Sequence, residues 1–262
     1  MAFERTESMR YLPLPQLKGS GQATQFDNLA GQRYTYNHLH LAIGLGYSFT
    51  REAIDDNLYK SQFDPANLGL LKSFKQMKEI LGAAVFNTGN VLNSTIGADN
   101  VALFSTAHPV DGYNIANTPS IQVGLNENTL LMGNNMIRRF RDNAGLLIGA
   151  QSTKLLVPVE LRHVAKRLME TPLRPGTANN DVGSVKENDD LRDGYLVMDF
   201  FTSPYAWFLL SDQGGFIYLE RVPFETSMQV DFTTDNLLVK AYERYYLGYD
   251  DWRAGWGTFP TN

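Results

Sequence analysis

The histidines are the first residues to ask about chemistry. The chain has four, and no cysteine. His38 and His40 form an H-x-H pair. Positions i and i+2 of a strand share a face, so both imidazoles could reach one metal ion. A metal site needs a third and usually a fourth ligand, and nothing nearby in sequence supplies one. A metal-dependent enzyme built on His38, His40 and a distant acid is the weakest of the readings, and an ordinary polar strand face is expected. Glu160 and His163 stand at the i, i+3 spacing of di-iron carboxylate bundles. Such centres need two copies of that pair and two further glutamates on four helices. The chain carries one copy, so a solvated helix face is expected. His108 sits in the string Ser105 to Pro109, close to Asp111, which brings together the residue types of a Ser/His/Asp triad. Nothing in the sequence orders the three or provides an oxyanion hole. A loop histidine with a local hydrogen bond is the expectation.

Other signals are weaker still. The acidic pairs Asp55-Asp56, Asp189-Asp190 and Asp250-Asp251 read as solvated turns or ion-pair partners. Gly44 and Gly46 begin a dinucleotide fingerprint but the third glycine is absent, and there is neither a phosphate loop nor a nucleophile elbow. Without cysteine, disulfide scaffolds, thiolate metal sites and thiol nucleophiles all fall away. The densest basic positions, Arg138, Arg139 and Arg141 with Arg162, Lys166 and Arg167, lie on helical stretches beside acids or asparagines, where salt bridges are expected. No catalytic residue, cofactor or metal is assigned.

The elements around these residues are more telling. Residues 1–33 read as extended and irregular, with Pro13 and Pro15 barring a helix. From Arg33 to Thr50 the pattern alternates with period two, the mark of strand. Residues 10–50 together suggest a long two-stranded hairpin or arm with little core of its own. A helical turn around 51–59 precedes a helix over 64–87, with Asp64 as its cap, Pro65 in its first turn and an apolar stripe at Leu70, Phe74, Met77, Leu81 and Ala84. Residues 88–128 read as loops. A helix over 127–143, a strand over 154–159, a helix over 159–170 and a turn-rich stretch over 171–194 follow. Strands are then expected at 195–201, 206–210, 216–220, 228–232 and 237–246. The class is mixed α+β.

Composition agrees with a folded domain. The 262 residues are 43% hydrophobic and include 15 Phe, 13 Tyr and 3 Trp, too aromatic for a disordered chain. No apolar run approaches the ~20 residues of a membrane span, so no membrane partner is expected. The N-terminus lacks the apolar stretch of a signal peptide, which points to folding in a cytoplasm. With 23 basic and 28 acidic residues, the chain is not built to grip phosphates. An arm, one over-long helix, large loops and many strands suggest a subunit completed by its neighbours.

Several strings, taken in order, resemble the major capsid proteins of tailed bacteriophages, particularly the Mu-like major head subunit group with the HK97 fold. They are Tyr34–His38 with Gly46–Glu52 and Asp55–Asn57; Leu103–Pro109; Lys154–Pro158 with Ala165 and Leu168; Ala206–Asp212; and Asp231–Asn236 with Asp251–Arg253, Gly255 and Gly257. The resemblance covers about 34–257. It implies an HK97-like capsid fold: an N-terminal arm and extended loop over 1–50, a peripheral domain over 51–150 with a spine helix at about 64–87, an axial domain over 151–225, and C-terminal strands over 226–262 closing these domains.

The implied function is a structural one, a head protein that self-assembles as hexamers and pentamers into an icosahedral shell around double-stranded DNA, which lies adjacent but is not bound sequence-specifically. Portal, scaffold or protease, and decoration proteins are the implied partners, and the virion capsid, assembled in host cytoplasm, the implied location. An encapsulin-like compartment of the same fold is the alternative. Candidate inter-subunit residues are Tyr11, Leu12, Leu14, Leu17, Lys18 and Phe26 in the arm, and Arg138, Arg139 and Arg141. Trp207, Trp252, Arg253 and Trp256 complete the set, with core packing an equal alternative for each tryptophan.

Overall fold

The computed structural model describes residues 3–9, 32–56, 63–92, 99–110, 113–171, 185 and 191–261. In chain order the elements are β1 (Phe3–Met9), β2 (Gln32–Leu39), β3 (Leu41–Phe49), α1 (Arg51–Asp55), α2 (Phe63–Asn87), β4 (His108–Val110), β5 (Tyr113–Ile115), α3 (Glu127–Arg138), β6 (Ser152–Pro158), α4 (Arg162–Glu170), β7 (Tyr195–Met198), β8 (Trp207–Ser211), β9 (Phe216–Val230), β10 (Leu237–Tyr249) and β11 (Gly255–Thr258). Strands run in blocks, β1–β3 before the long helix and β7–β11 after the last one, and most of the pairs are antiparallel, an α+β arrangement as expected. Two compact units emerge. The first takes residues 1–4, 38–82 and 217–248, and the second takes 5–37, 83–216 and 249–262.

In the first unit, β10 lies between β3 and β9 in a three-stranded sheet. Of the hairpin or arm expected over residues 10–50, 10–31 lie outside the described residues; in the rest, β2 pairs with β1, whereas β3 pairs antiparallel with β10, Ala241 opposite Leu45. The cause is a phase shift at His40. Tyr36, His38 and His40 bury the even positions of β2, but β3 turns its odd positions Ile43, Tyr47 and Phe49 inward. A one-residue slip changes the face a strand presents, so β3 serves another sheet. Leu70 and Phe74 of α2 pack with Ala241, Ile43, Tyr47 and Phe224 into a small core. Of the stripe expected on α2, Leu70 and Phe74 are buried and Met77, Leu81 and Ala84 half-buried. Asp64 falls inside the first turn rather than at the cap, where a carboxylate still complements the helix dipole. Pro65 is tolerated there because first-turn N–H groups have no intrahelical partner.

β9 also departs from expectation. Residues 216–220 and 228–232 suggested two strands, yet 216–230 form one. Pro223 does not break it because β9 is an edge strand among the described residues, where proline is tolerated. On β10, Val239, Ala241, Glu243 and Tyr245 alternate into the interior. Glu243 is fully buried, and the Lys78 ammonium lies 2.7 Å from its carboxylate and 5.3 Å from the Tyr245 ring. Burial alone would lower the Lys78 pKa, but Glu243 outweighs it and raises it.

The second unit holds the larger core. Its sheet runs β11-β8-β6-β7, antiparallel except for the parallel β6–β7 pair. A parallel pair needs a crossover, and α4 lies within it. β11 is not among the strands expected from the sequence, since glycines such as Gly255 and Gly257 weaken a strand pattern. They are instead sites of close approach: a Cβ on Gly257 would sit 2.5 Å from the Phe208 ring. α3 begins at an Asn126–Thr129 capping box. It ends at Arg138, short of the expected Asn143. Asp142 accepts from the N–H groups of Ala144 and Leu146, both at 2.8 Å, and Gly145 takes φ 82°. That local turn outcompetes another helical turn.

Gly133 brings α3 against the sheet, since a Cβ there would stand 2.7 Å from Leu209 and 3.3 Å from Trp256. Gly133→Val should therefore overpack the core and cost about 1–3 kcal/mol or more. Gly82, in α2, has open space around its missing Cβ, and Gly82→Ala should stabilise by about 0.5–1 kcal/mol. Urea unfolding of both variants checks the opposite signs.

Candidate functional site

His38 and His40 are buried, not lying on an exposed polar face. The His38 ring packs 4.8 Å from Tyr246, and His40 Nε2 stands 3.3 Å from Glu4 Oε1. Burial depresses the His38 pKa, with His40 adding to the effect and Glu4 opposing it. Among the described residues no group of three or more His, Asp or Glu side chains is placed to hold a metal ion. Glu160 and His163 are exposed on the α4 end of the second unit, the solvated face expected of them.

His108 is the centre of a larger arrangement than the sequence suggested. It is fully buried, with Nδ1 2.7 Å from Asp99 Oδ2 and Nε2 3.1 Å from Asn117 Oδ1. Its ring stacks on Trp252 at 4.3 Å, nearly parallel. The Asn117 amide nitrogen faces three carbonyls, Leu103 at 2.7 Å, Trp252 at 3.1 Å and Gly255 at 3.2 Å. Those contacts fix the amide's orientation, so its oxygen is the atom that accepts, from the Ser105 N–H at 2.8 Å and from His108. Both imidazole nitrogens thus face side-chain oxygens. Ser105 does not meet His108. Its Oγ accepts from the Ala107 N–H, which removes the triad reading. Asp111 lies outside the described residues.

Arg253 extends the same framework. It is buried, donates to Asp251, to the Arg141 carbonyl at 2.7 Å and to Asn143 at 2.9 Å, and lies over the Trp252 ring. Thr118 Oγ1 donates to the Gly257 carbonyl, and the Gly257 N–H donates to the Asn117 carbonyl. Together these contacts fasten residues 251–258 to the loops at 99–118 and 141–143. No group in the arrangement is exposed and aligned as a nucleophile, so its chemistry is that of a clamp. Asp99 and Asn117 were missed in the sequence. Each lies nine residues from His108, in loop composition, and only the fold joins them.

The candidate interface residues divide. Tyr11, Leu12, Leu14, Leu17, Lys18 and Phe26 lie outside the described residues. Arg138, Arg139 and Arg141 are exposed. Arg139 borders a cavity of about 430 Å³ lined by Asn128, Leu131, Met132, Asn135 and Met136, and Arg141 donates to the Gly145 carbonyl. Trp207, Trp252, Arg253 and Trp256 are interior to the second unit. Trp207 donates to the Val123 carbonyl, and Trp256 Nε1 contacts Met136 Sδ. Of the two roles open to these tryptophans, the chain itself supplies core packing.

Asn117→Ala strips one oxygen and one nitrogen from five buried groups, and should cost at least about 3 kcal/mol in chemical unfolding. Burial, then the charge of Asp99, pushes the Tyr249 phenol up to about 12. Burial, then Glu243 and Tyr218, does the same for Tyr245, to about 12. Burial, then Asp251 and Asp99, raises Tyr36 as well. The unfolded chain releases these protons near the ordinary value of 10.0, before the native state does. Their stabilisation is whole below pH ~10 and disappears as pH rises through about 10–12. Absorbance at 295 nm during alkaline titration should show late phenolate formation coincident with unfolding.

The comparisons with known proteins follow this architecture. The family model for phage capsid protein matches residues 41–257. Among curated proteins none matches. The solved asymmetric unit of the bacteriophage PhiM1 mature capsid superposes with TM-score 0.60 at 11% identity, covering 99% of this chain and 82% of that one. A Microbacterium phage Oxtober96 structure gives 0.58 at 13% identity, with coverages of 100% and 87%. The capsid of bacteriophage JBD30, decorated with minor capsid protein trimers, gives 0.56 at 12% identity, with coverages of 77% and 86%. At such identities the structures establish a shared fold, that of HK97-like capsids, and the family match extends over most of the sequence. The chain belongs to the phage capsid protein family.

Proposed function

We propose that the chain is the major head subunit of a tailed phage, self-assembling as hexamers and pentamers into an icosahedral shell that encloses double-stranded DNA. The observation that carries this is the family match across 41–257 on a chain whose fold follows that of solved phage capsids almost end to end. The Mu-like head group is the nearer kin, on the strings named above. Such a subunit works through contacts with its own copies rather than through a reactive centre. Its interfaces are individually modest and multiplied by copy number.

Within that reading, residues 1–50 are the N-terminal arm and the extended loop that lies over a neighbour, 51–150 the peripheral domain with α2 as the spine helix, 151–225 the axial domain, and 226–262 the strands that close these domains. Portal, scaffold or protease, and decoration proteins join in the host cytoplasm, where the virion capsid is built. The net charge of −5 suits a wall against which DNA is packed without being gripped.

Electron microscopy of the purified protein, expressed alone and with its neighbouring head genes, should show closed shells or rings of five and six copies. DNA inside the shells supports a phage head, and enzyme cargo supports the encapsulin-like alternative. A monodisperse monomer or dimer under every condition refutes the assembly reading. Deleting residues 12–32 should leave a soluble, folded subunit that no longer closes shells; normal shells from that deletion would sink the role given to the arm.

A further inference from the structure

The distal end of the β9–β10 hairpin carries apolar surface that its own chain leaves bare. Met228, Val230 and Phe232 alternate along one face, and their exposures are 58%, 54% and 99%. β9 is an edge strand. Pro223 guards its proximal half, while residues 225–230 are exposed on both faces and contain no Pro, Lys or Arg. Unguarded edges of this kind are normally covered.

The tip is also held rigid. Asp231 accepts from the hydroxyls of Thr233 and Thr234 at 3.0 and 2.6 Å. The Asp231 N–H donates to the Asn236 carbonyl, and the Asp235 N–H to the Asp231 carbonyl, both at 2.9 Å. Asp235 takes φ 54°, and Asn236 Oδ1 accepts from the Arg51 N–H at 3.2 Å, which ties the turn to α1. A phenyl ring held fully in water by a preorganised turn is an anchor that loses little entropy when a partner covers it.

The chemistry of that partner follows from the surroundings of the ring. Glu225, Asp231 and Asp235 flank an apolar stripe, so the receiving surface should be apolar with cations beside it. The same chain presents one. Leu68, Leu71, Lys72 and Lys75 stand at i, i+3, i+4 and i+7 on α2, a single face. Leu68 is 59% exposed and Leu71 41%, and this face is opposite in kind to the buried Leu70–Phe74 stripe.

We infer that the Met228–Phe232 tip of one copy docks on the Leu68–Lys75 face of α2 in a second copy. Plug and socket are different surfaces of the same chain, so the contact is heterologous and propagates from copy to copy. The inference rests on the capsid reading above.

Two readouts test it on the full-length chain. Phe232→Asp should reduce the fraction sedimenting as particles at least tenfold. Circular dichroism and the thermal unfolding midpoint should not change, because the ring contributes nothing to its own fold. The absence of cysteine makes a crosslink unambiguous. Gly69 borders that face of α2, three residues from Lys72, and a Cβ there meets nothing within 4 Å, so Gly69→Cys is accommodated. Particles co-assembled from Gly69→Cys and Val230→Cys chains should form a mixed interchain disulfide on mild oxidation, as only close Cα pairs can. Particles of either variant alone should not. Full assembly of Phe232→Asp, or a Val230→Cys disulfide between two tips without the mixed species, overturns the inference. A wild-type chain that never assembles overturns the capsid reading first and this one with it.

Discussion

The second unit depends on one buried amide. Asn117 has no charge, yet its side chain meets His108, the Ser105 N–H and three carbonyls from two remote parts of the chain. Each of those groups is a strong hydrogen-bonding group removed from water, and leaving any of them bare costs more than a typical bond contributes. β11 reaches the sheet edge beside β8 only because residues 251–258 are fixed in place, and the Asn117 and Thr118 contacts are what fix them. His108, Asp99, Trp252 and Arg253 then stack around the amide as a network in which each member satisfies another. Such a network favours one arrangement of loops over its competitors, which hydrophobic packing alone does poorly.

The two units are stabilised by different means. The second has the larger apolar core, centred on Leu155, Val157, Trp207, Leu209 and Trp256, with Phe86, Phe104 and Phe208 stacked beside it. The first relies on a small cluster around Phe74 and on the Lys78–Glu243 pair, buried on the carboxylate side. A buried ion pair contributes little net stability against its desolvation, but removing one partner is severe. A unit with a thin core, a long edge strand and an exposed apolar tip is poorly suited to life as a free monomer. It suits a subunit whose remaining surface is covered by copies of itself, where the total burial is set by the assembly rather than by the chain.

Much of this was legible in the sequence, and the reasons are local. Strict 4-3-4-3 spacing found α2, and the helical run from Glu127, the β run before Pro158 and the alternation over 237–246 placed three further elements. The order of short strings placed the family. Where local rules met tertiary ones, they yielded. Pro223 stands inside β9 because an edge strand tolerates proline, and the sequence does not say that β9 is an edge. Gly255 and Gly257 stand in a strand that the sequence does not announce, because it does not say that Phe208 and Leu209 press against them. His38 and His40 were read as polar surface, and burial inside a packed unit reversed that.

The chain's pattern by itself determined its class, its long helix, the absence of thiol chemistry and its kinship with capsid subunits, because these follow from residue types and from spacing along the chain. Only the tertiary structure decided which strands pair and which histidine matters. It also decided that the three tryptophans fill a core while Phe232 stands in water. Those outcomes depend on contacts between residues up to more than a hundred positions apart, as Asn117 to Trp252 and Gly255 shows. The free energy of such contacts is set by burial and by the pairing of polar groups, neither of which is written in the local sequence.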